Sequence, residues 1–228
     1  MNINYNEEMK KIIIAVAALA VSVSSFAQVS VGAGYLNSSA TQVTTISEGT
    51  TNTANASSNG FYVQGLYAYP LAAGLDLNAG LKFYWDTRTS TGNVDFGGVH
   101  FADATAVTKE AYLALPVNVS YGYSINKDVR IFAFAGPTFS LGLSSKTNVT
   151  TTVLGQTKTD TIDNYAKDDD GNRSYKTGNV FLGGGIGVDL MKMVRINVSY
   201  DFGLVNRSTA DKTKLTENLL SVGVAFLF

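Results

Sequence analysis

Residues 28–228 are predicted to be all-β: an eight-stranded antiparallel up-and-down transmembrane barrel with short periplasmic turns and long extracellular loops. Three observations predict it. Hydrophobicity alternates with period two in segment after segment. The connections between segments are short and long by turns. Aromatic residues gather at both ends of the segments.

The alternation is clearest in residues 75–86, L-D-L-N-A-G-L-K-F-Y-W-D. One face carries Leu75, Leu77, Ala79, Leu81, Phe83 and Trp85; the other carries Asp76, Asn78, Gly80, Lys82, Tyr84 and Asp86. Residues 194–204 repeat the pattern, with Val194, Ile196, Val198, Tyr200, Phe202 and Leu204 against Arg195, Asn197, Ser199, Asp201 and Gly203. Eight such segments are read, at 28–36, 61–69, 75–86, 109–121, 129–143, 178–190, 194–204 and 217–228. Their lengths suit the ~9–11 residues a tilted strand needs to cross a bilayer. An even number of antiparallel strands closes without leaving an unpaired edge in lipid.

The connections after segments two, four and six are short, and those after one, three, five and seven are long and rich in Thr, Ser and Asn. That asymmetry is the outer-membrane pattern, with the long loops outside the cell. Tyr67, Tyr69, Tyr121, Tyr123, Phe226 and Phe228 fall near the short turns; Tyr35, Phe61, Trp85, Tyr112 and Tyr200 fall near the long loops. A soluble barrel would instead put a Lys- and Glu-rich face outward, and this chain has only 15 % charged residues. The net charge of −1 gives no electrostatic pull toward nucleic acid. The absence of Cys excludes a disulfide scaffold, a zinc-thiolate site and a lipidated cysteine anchor.

The chain divides into three parts. Residues 9–27 read as a secretory signal peptide: Lys10 and Lys11, an apolar run, then Ser25 and Ala27 as the small residues a peptidase needs. Cleavage is expected between Ala27 and Gln28. The apolar run of about 12 residues is too short for a transmembrane helix. Residues 1–8 are polar and acidic, so Met9 is read as the true start and 1–8 as a misassigned leader. Residues 28–228 are the barrel.

The last strand ends S-V-G-V-A-F-L-F, with Val222, Val224, Phe226 and Phe228 expected toward lipid. Ser221, Gly223, Phe226 and Phe228 fill the slots of a pattern that resembles the targeting signal of outer-membrane barrels. The resemblance implies that the barrel-assembly machinery reads this strand as an added edge strand. Residues 111–121 (A-Y-L-A-L-P-V-N-V-S-Y) and 132–142 (F-A-F-A-G-P-T-F-S-L-G) are similar to inner strands of small outer-membrane barrels labelled porin-family or PorT-like, of the OmpA, OmpX and OmpW type. That resemblance covers essentially all of 28–228 and identifies a fold more than a function. It implies residence in the bacterial outer membrane, among its lipids.

Little in the sequence carries chemistry. His100, the only histidine, is expected in the second outer loop, and no motif fixes a nucleophile for it. Residues 168–172 (D-D-D-G-N) have calcium-like spacing but lack the sixth-position Gly, which is Arg173. Asp160, Thr161 and Ile162 resemble a bacterial O-glycan acceptor. No catalytic, cofactor-binding or metal-binding residue is assigned. Asp76, Lys82, Arg130, Asp189, Arg195 and Asp201 are the expected lumen charges, and they should pair in a narrow barrel that side chains can fill. Residues 41–53 and 148–161 are β-prone and are expected to continue the strands as protruding hairpins; if the second reached lipid, ten strands would result. Three functions follow in order: a non-enzymatic structural or surface-binding protein whose loops meet an extracellular ligand or protein, a narrow pore, and a lipid-modifying enzyme using His100.

Overall fold

The computed structural model describes residues 28–47, 50–96, 99–153, 156–167 and 173–228. The leader, the signal segment with Ala27, and residues 168–172 lie outside the described residues. Nine strands follow in order: β1 (Gln28–Ser47), β2 (Thr50–Ala72), β3 (Leu75–Phe96), β4 (Val99–Ser124), β5 (Val129–Val153), β6 (Gln156–Asp163), β7 (Gly178–Leu190), β8 (Val194–Gly203) and β9 (Thr213–Leu227).

Eight of them close a ring. Each pairs antiparallel with its neighbour in the order β1, β2, β3, β4, β5, β7, β8, β9, and β9 returns to β1. Closure matters because lipid offers backbone N–H and C=O groups no partner. β6 stands outside the ring and pairs only with the far end of β5, from Lys146↔Asp163 to Val153↔Gln156. The ring therefore has eight strands, and the hairpin around Val149 adds none to it.

The periplasmic turns are tight for local reasons. Gly74 takes a φ of 78° between β2 and β3, a conformation that costs Gly little. Asn126 accepts backbone N–H bonds from Asp128 and Val129 at 2.8 Å and so folds the turn before β5.

Burial alternates residue by residue through β9: Leu215, Glu217, Leu219, Ser221, Gly223, Ala225 and Leu227 point inward and are buried, while Leu220, Val222, Val224 and Phe226 are exposed. An apolar face left open on the strands of the ring is the surface that lipid covers.

The strands run further than the apolar alternation. Apolar segments ending at 36, 61, 86, 109 and 143 continue as strand to 47, 50, 96, 99 and 153; the continuations within 41–53 and 148–161 are the protruding hairpins expected there, and the one of β3 and β4 through 87–96 and 99–108 is not expected from the sequence. The extra residues are Thr-, Ser- and Asn-rich and need no lipid; β-branched Thr and the neighbour's ladder hold them. Residue pairs such as Val43↔Thr53, Thr91↔Thr105 and Thr150↔Thr159 lie in these extensions. His100, expected in a loop, lies in β4 opposite Asp95.

Candidate functional site in the lumen and the protruding sheets

From the periplasmic mouth outward, the barrel interior is a stack of layers. A funnel of about 620 Å³ opens between the short turns and ends at Asp76, Arg130 and Asp189. There Arg130 donates to Asp76 at 2.7 Å and to Asp189 at 3.2 Å, and Arg195 grips Asp189 through Nε at 2.7 Å and Nη2 at 2.9 Å. Two cations thus meet two anions, which is the pairing a narrow lumen requires. The Arg195 guanidinium also lies 4.3 Å from the Phe132 ring centroid.

Above this layer is a cavity of about 60 Å³, bounded by Asn78, Asn118, Asn197, Ser199 and Asp201 among others. It has room for a few waters and polar partners to hold them. Lys82 forms its roof: the ammonium is buried, donates to Ser221 at 3.1 Å and sits 4.4 Å over the Tyr62 ring.

Next comes a buried, mostly aromatic disc. Leu36, Tyr62, Tyr84, Tyr112, Ala114, Phe181 and Leu219 form one buried cluster drawn from six strands. Tyr84 and Tyr112 stack at 4.6 Å, and the Tyr84 hydroxyl bonds Ser140 at 2.9 Å. These side chains fill the cross-section, as an eight-stranded ring permits.

The outermost layer is a charge cluster built around Arg207, which enters from the loop between β8 and β9. Its guanidinium donates to Glu217 at 2.6 Å, to Glu110 at 3.2 Å and to the Tyr165 hydroxyl at 3.1 Å. Ser38 donates to Glu217 at 2.6 Å, Ser145 to Glu110 at 2.8 Å, and Arg88 reaches Glu110 at 3.4 Å. Arg207, Glu110 and Glu217 are each no more than 3 % exposed, so this layer is a lid, not a solvated rim. Asp86 lies buried beside both glutamates with no hydrogen-bond partner for either oxygen.

Two loops hold the lid. Asn206 accepts from the N–H groups of Ser208 at 3.0 Å and Leu215 at 2.8 Å, and so aims Arg207 inward. Asn164 bonds Ser145 at 2.9 Å and Thr147 at 3.0 Å, which sets Tyr165 against β5 where Gly142 leaves room for its ring. Burial pushes the Tyr165 hydroxyl above its ordinary pKa, Arg207 pulls it back and Glu110 raises it again. An acid whose folded pKa is raised lends stability below its unfolded pKa near 10 and loses it as pH rises past that value. Difference absorbance of wild type minus Tyr165→Phe is therefore expected to show one tyrosine ionising after the exposed ones. Ionisation of that residue in step with them would refute the lid packing.

The six lumen charges all belong to the inward face, and four of them, Asp76, Arg130, Asp189 and Arg195, form one network. Lys82 and Asp201 line the cavity above it. The outer lid was missed in sequence. Glu110 and Glu217 share the inward parity of Tyr112 and Leu219, which was a usable signal; Arg207 lies in an aperiodic loop and gives none.

Outside the membrane the strands form two projecting sheets. β3 and β2 pair only as far as Asn59↔Thr87. Beyond that row, β3, β4, β5 and β6 continue as one sheet, and β2, β1 and β9 as another. Among the described residues, 50–58 of β2 (T-T-N-T-A-N-A-S-S) pair with no strand on the side away from β1, and this edge has no charge and no proline. The free edge of β6 carries Lys158, Asp160 and Asp163.

A closed antiparallel ring with a lipid-facing exterior, short turns at one end and projecting strands at the other defines an integral protein of the bacterial outer membrane. Residues 19–208 match the family model described as outer membrane protein beta-barrel domain, and the chain belongs to that family. No curated protein matches the chain. Similar solved structures include Ail, the attachment invasion locus protein of Yersinia pestis, at 13 % identity over 90 % of this chain and 100 % of that one, TM-score 0.36. They also include OprG of Pseudomonas aeruginosa, at 11 % identity over 88 % and 95 %, TM-score 0.40. The outer membrane protease OmpT of Escherichia coli aligns at 10 % identity over 91 % and 99 %, TM-score 0.45.

Proposed function

We propose that this barrel is a non-enzymatic membrane anchor that presents its two projecting sheets to an extracellular partner, which adds a strand to the β2 edge at residues 50–58. One observation supports the reading: a buried cluster of aromatic and aliphatic side chains and the Arg207 ion-pair layer occupy the lumen, while strands such as β4 run about ten residues past the bilayer, roughly 30 Å of strand. Natural proteins blunt exposed edges with charge, proline or bulges. The β6 edge follows that practice and the β2 edge does not, so β2 is the edge left open for strand addition. The assembly machinery is the second partner, engaged through Ser221, Gly223, Phe226 and Phe228 before insertion.

The test joins conductance to binding. Mature 28–228, checked for folding by its heat-dependent gel shift, is expected to be silent in a planar bilayer; steady discrete openings would restore the pore reading. Immobilised folded protein is then screened with displayed extended peptides. Thr53→Lys with Asn55→Lys should abolish retention, because lysine on the edge opposes a further strand. Lys82→Gln, inside the barrel, should leave retention unchanged. Equal retention by the edge variant would overturn the assignment.

A further inference from the structure

We infer that Lys109 and Lys146 form a phosphate-binding pair for an outer-leaflet lipid at the edge of the apolar wall. On β4 the outward residues Tyr121, Val119, Val117, Leu115, Leu113 and Ala111 lead up from the periplasmic end, and the next outward residue is Lys109. Residues 111–121 are one bilayer crossing in length. Lys109 therefore stands at the level of the outer headgroups. On β5 the outward series ends at Phe139, Leu141 and Leu143, and Lys146 follows.

A bulge makes the two lysines neighbours. Ala111 pairs with Ser144 and Tyr112 with Gly142, so Leu143 is an extra residue in β5. Period-two alternation continued from Leu141 and Leu143 would turn residue 145 outward. After the bulge, Ser145 turns inward to bond Glu110 at 2.8 Å, and Lys146 turns outward, directly opposite Lys109. Directly opposite residues have Cβ atoms about 4.5–5.5 Å apart, and like charges so placed repel.

Asp163, opposite Lys146 on β6, offsets part of that repulsion, and Lys109 has no acid opposite it on either neighbouring strand. Both lysines are exposed, and among the described residues neither makes an ion pair or side-chain hydrogen bond. Asp163, opposite Lys146 on β6, instead accepts the N–H groups of Tyr165 at 3.0 Å and Ala166 at 3.2 Å. Thr87, opposite Lys109 on β3, has a hydroxyl with no hydrogen-bond partner. Two ammonium groups side by side at headgroup height match the two free oxygens of a lipid phosphate, and their apolar stems suit the upper edge of the wall.

The chain's single tryptophan, Trp85, pairs with Ala111 one outward step below Lys109 and reports on the site. The full mature barrel is refolded into phosphatidylcholine vesicles containing brominated phosphatidylglycerol or brominated phosphatidylcholine, and Trp85 quenching gives relative lipid affinity. Wild type is expected to prefer the anionic lipid by on the order of 30-fold, the effect of two ammonium groups near the surface. Lys109→Gln with Lys146→Gln should lose that preference. Lys158→Gln with Lys176→Gln removes the same charge from the outer loops and should keep it. Equal quenching by both lipids in wild type, or an unchanged preference in the Lys109/Lys146 variant, overturns the inference. Loss of the preference on adding millimolar inorganic phosphate would assign the pair to a soluble anion and overturn the lipid assignment.

Discussion

Replacing Arg207 with methionine is expected to cost about 3–5 kcal/mol of barrel stability, the usual penalty for leaving a buried charge without its partner. Glu217 and Glu110 are 1 % and 2 % exposed, and Arg207 is the cation that bridges them. Glu217 would keep only the Ser38 hydroxyl, and Glu110 only Ser145 and the more distant Arg88. Arg207→Lys should recover only part of the loss, because one ammonium cannot reproduce a planar fork that serves two carboxylates and the Tyr165 hydroxyl at once. Combining Arg207→Met with Glu217→Gln should restore most of it, since one cation and one anion are then removed together and Glu110 keeps Arg88 and Ser145. Urea unfolding in vesicles, followed by Trp85 fluorescence, measures all four proteins. A single-variant loss below about 1 kcal/mol, the worth of an exposed ion pair, would mean that the lid is solvated and does not close the lumen.

The difference between the lumen floor and the lid shows what a sequence of this kind reveals. Asp76, Arg130, Asp189 and Arg195 sit on strands whose alternation is unmistakable, so parity alone assigns them to the interior. Which acid meets which base depends on register between strands distant in sequence, such as Arg130↔Asp189, and alternation within one strand does not contain it. The Leu143 bulge is a harder case, because it reverses parity in the middle of a continuous strand. Arg207 is harder still: its position comes from Asn206 and the loop bonds around it, not from a periodic element. The hairpin extensions within 41–53 and 148–161 are legible in their β-prone composition, but the extension of β3 and β4 through 87–96 and 99–108 is not, for a different reason. Alternation of apolar and polar residues marks where one face meets lipid, and it stops at the membrane surface although the hydrogen-bond ladder does not.

Gly223 is expected to separate two roles that the C-terminal strand combines. Its inward Cα faces Gly34 across the β1–β9 ladder, and Tyr62 lies over both. A Cβ at Gly223 would collide with the Tyr62 hydroxyl, and one at Gly34 would fall 2.6 Å from the same ring. Gly223→Ala should therefore destabilise the refolded barrel by about 1–3 kcal/mol through overpacking. Adding Tyr62→Phe removes the colliding oxygen but leaves the ring carbon Cζ 2.8 Å away, so it should return part of that stability in detergent. Phe228 is different, because it is 74 % exposed and fills no space in the lumen. Its deletion should leave detergent refolding close to wild type while stripping most of the protein from the outer membrane of expressing cells. The decisive protein is the Gly223→Ala, Tyr62→Phe double variant in cells. If it reaches the membrane as wild type does, Gly223 serves packing alone. If it refolds in detergent and still fails in cells, the assembly machinery reads the bare backbone at Gly223 as well as the aromatic at Phe228.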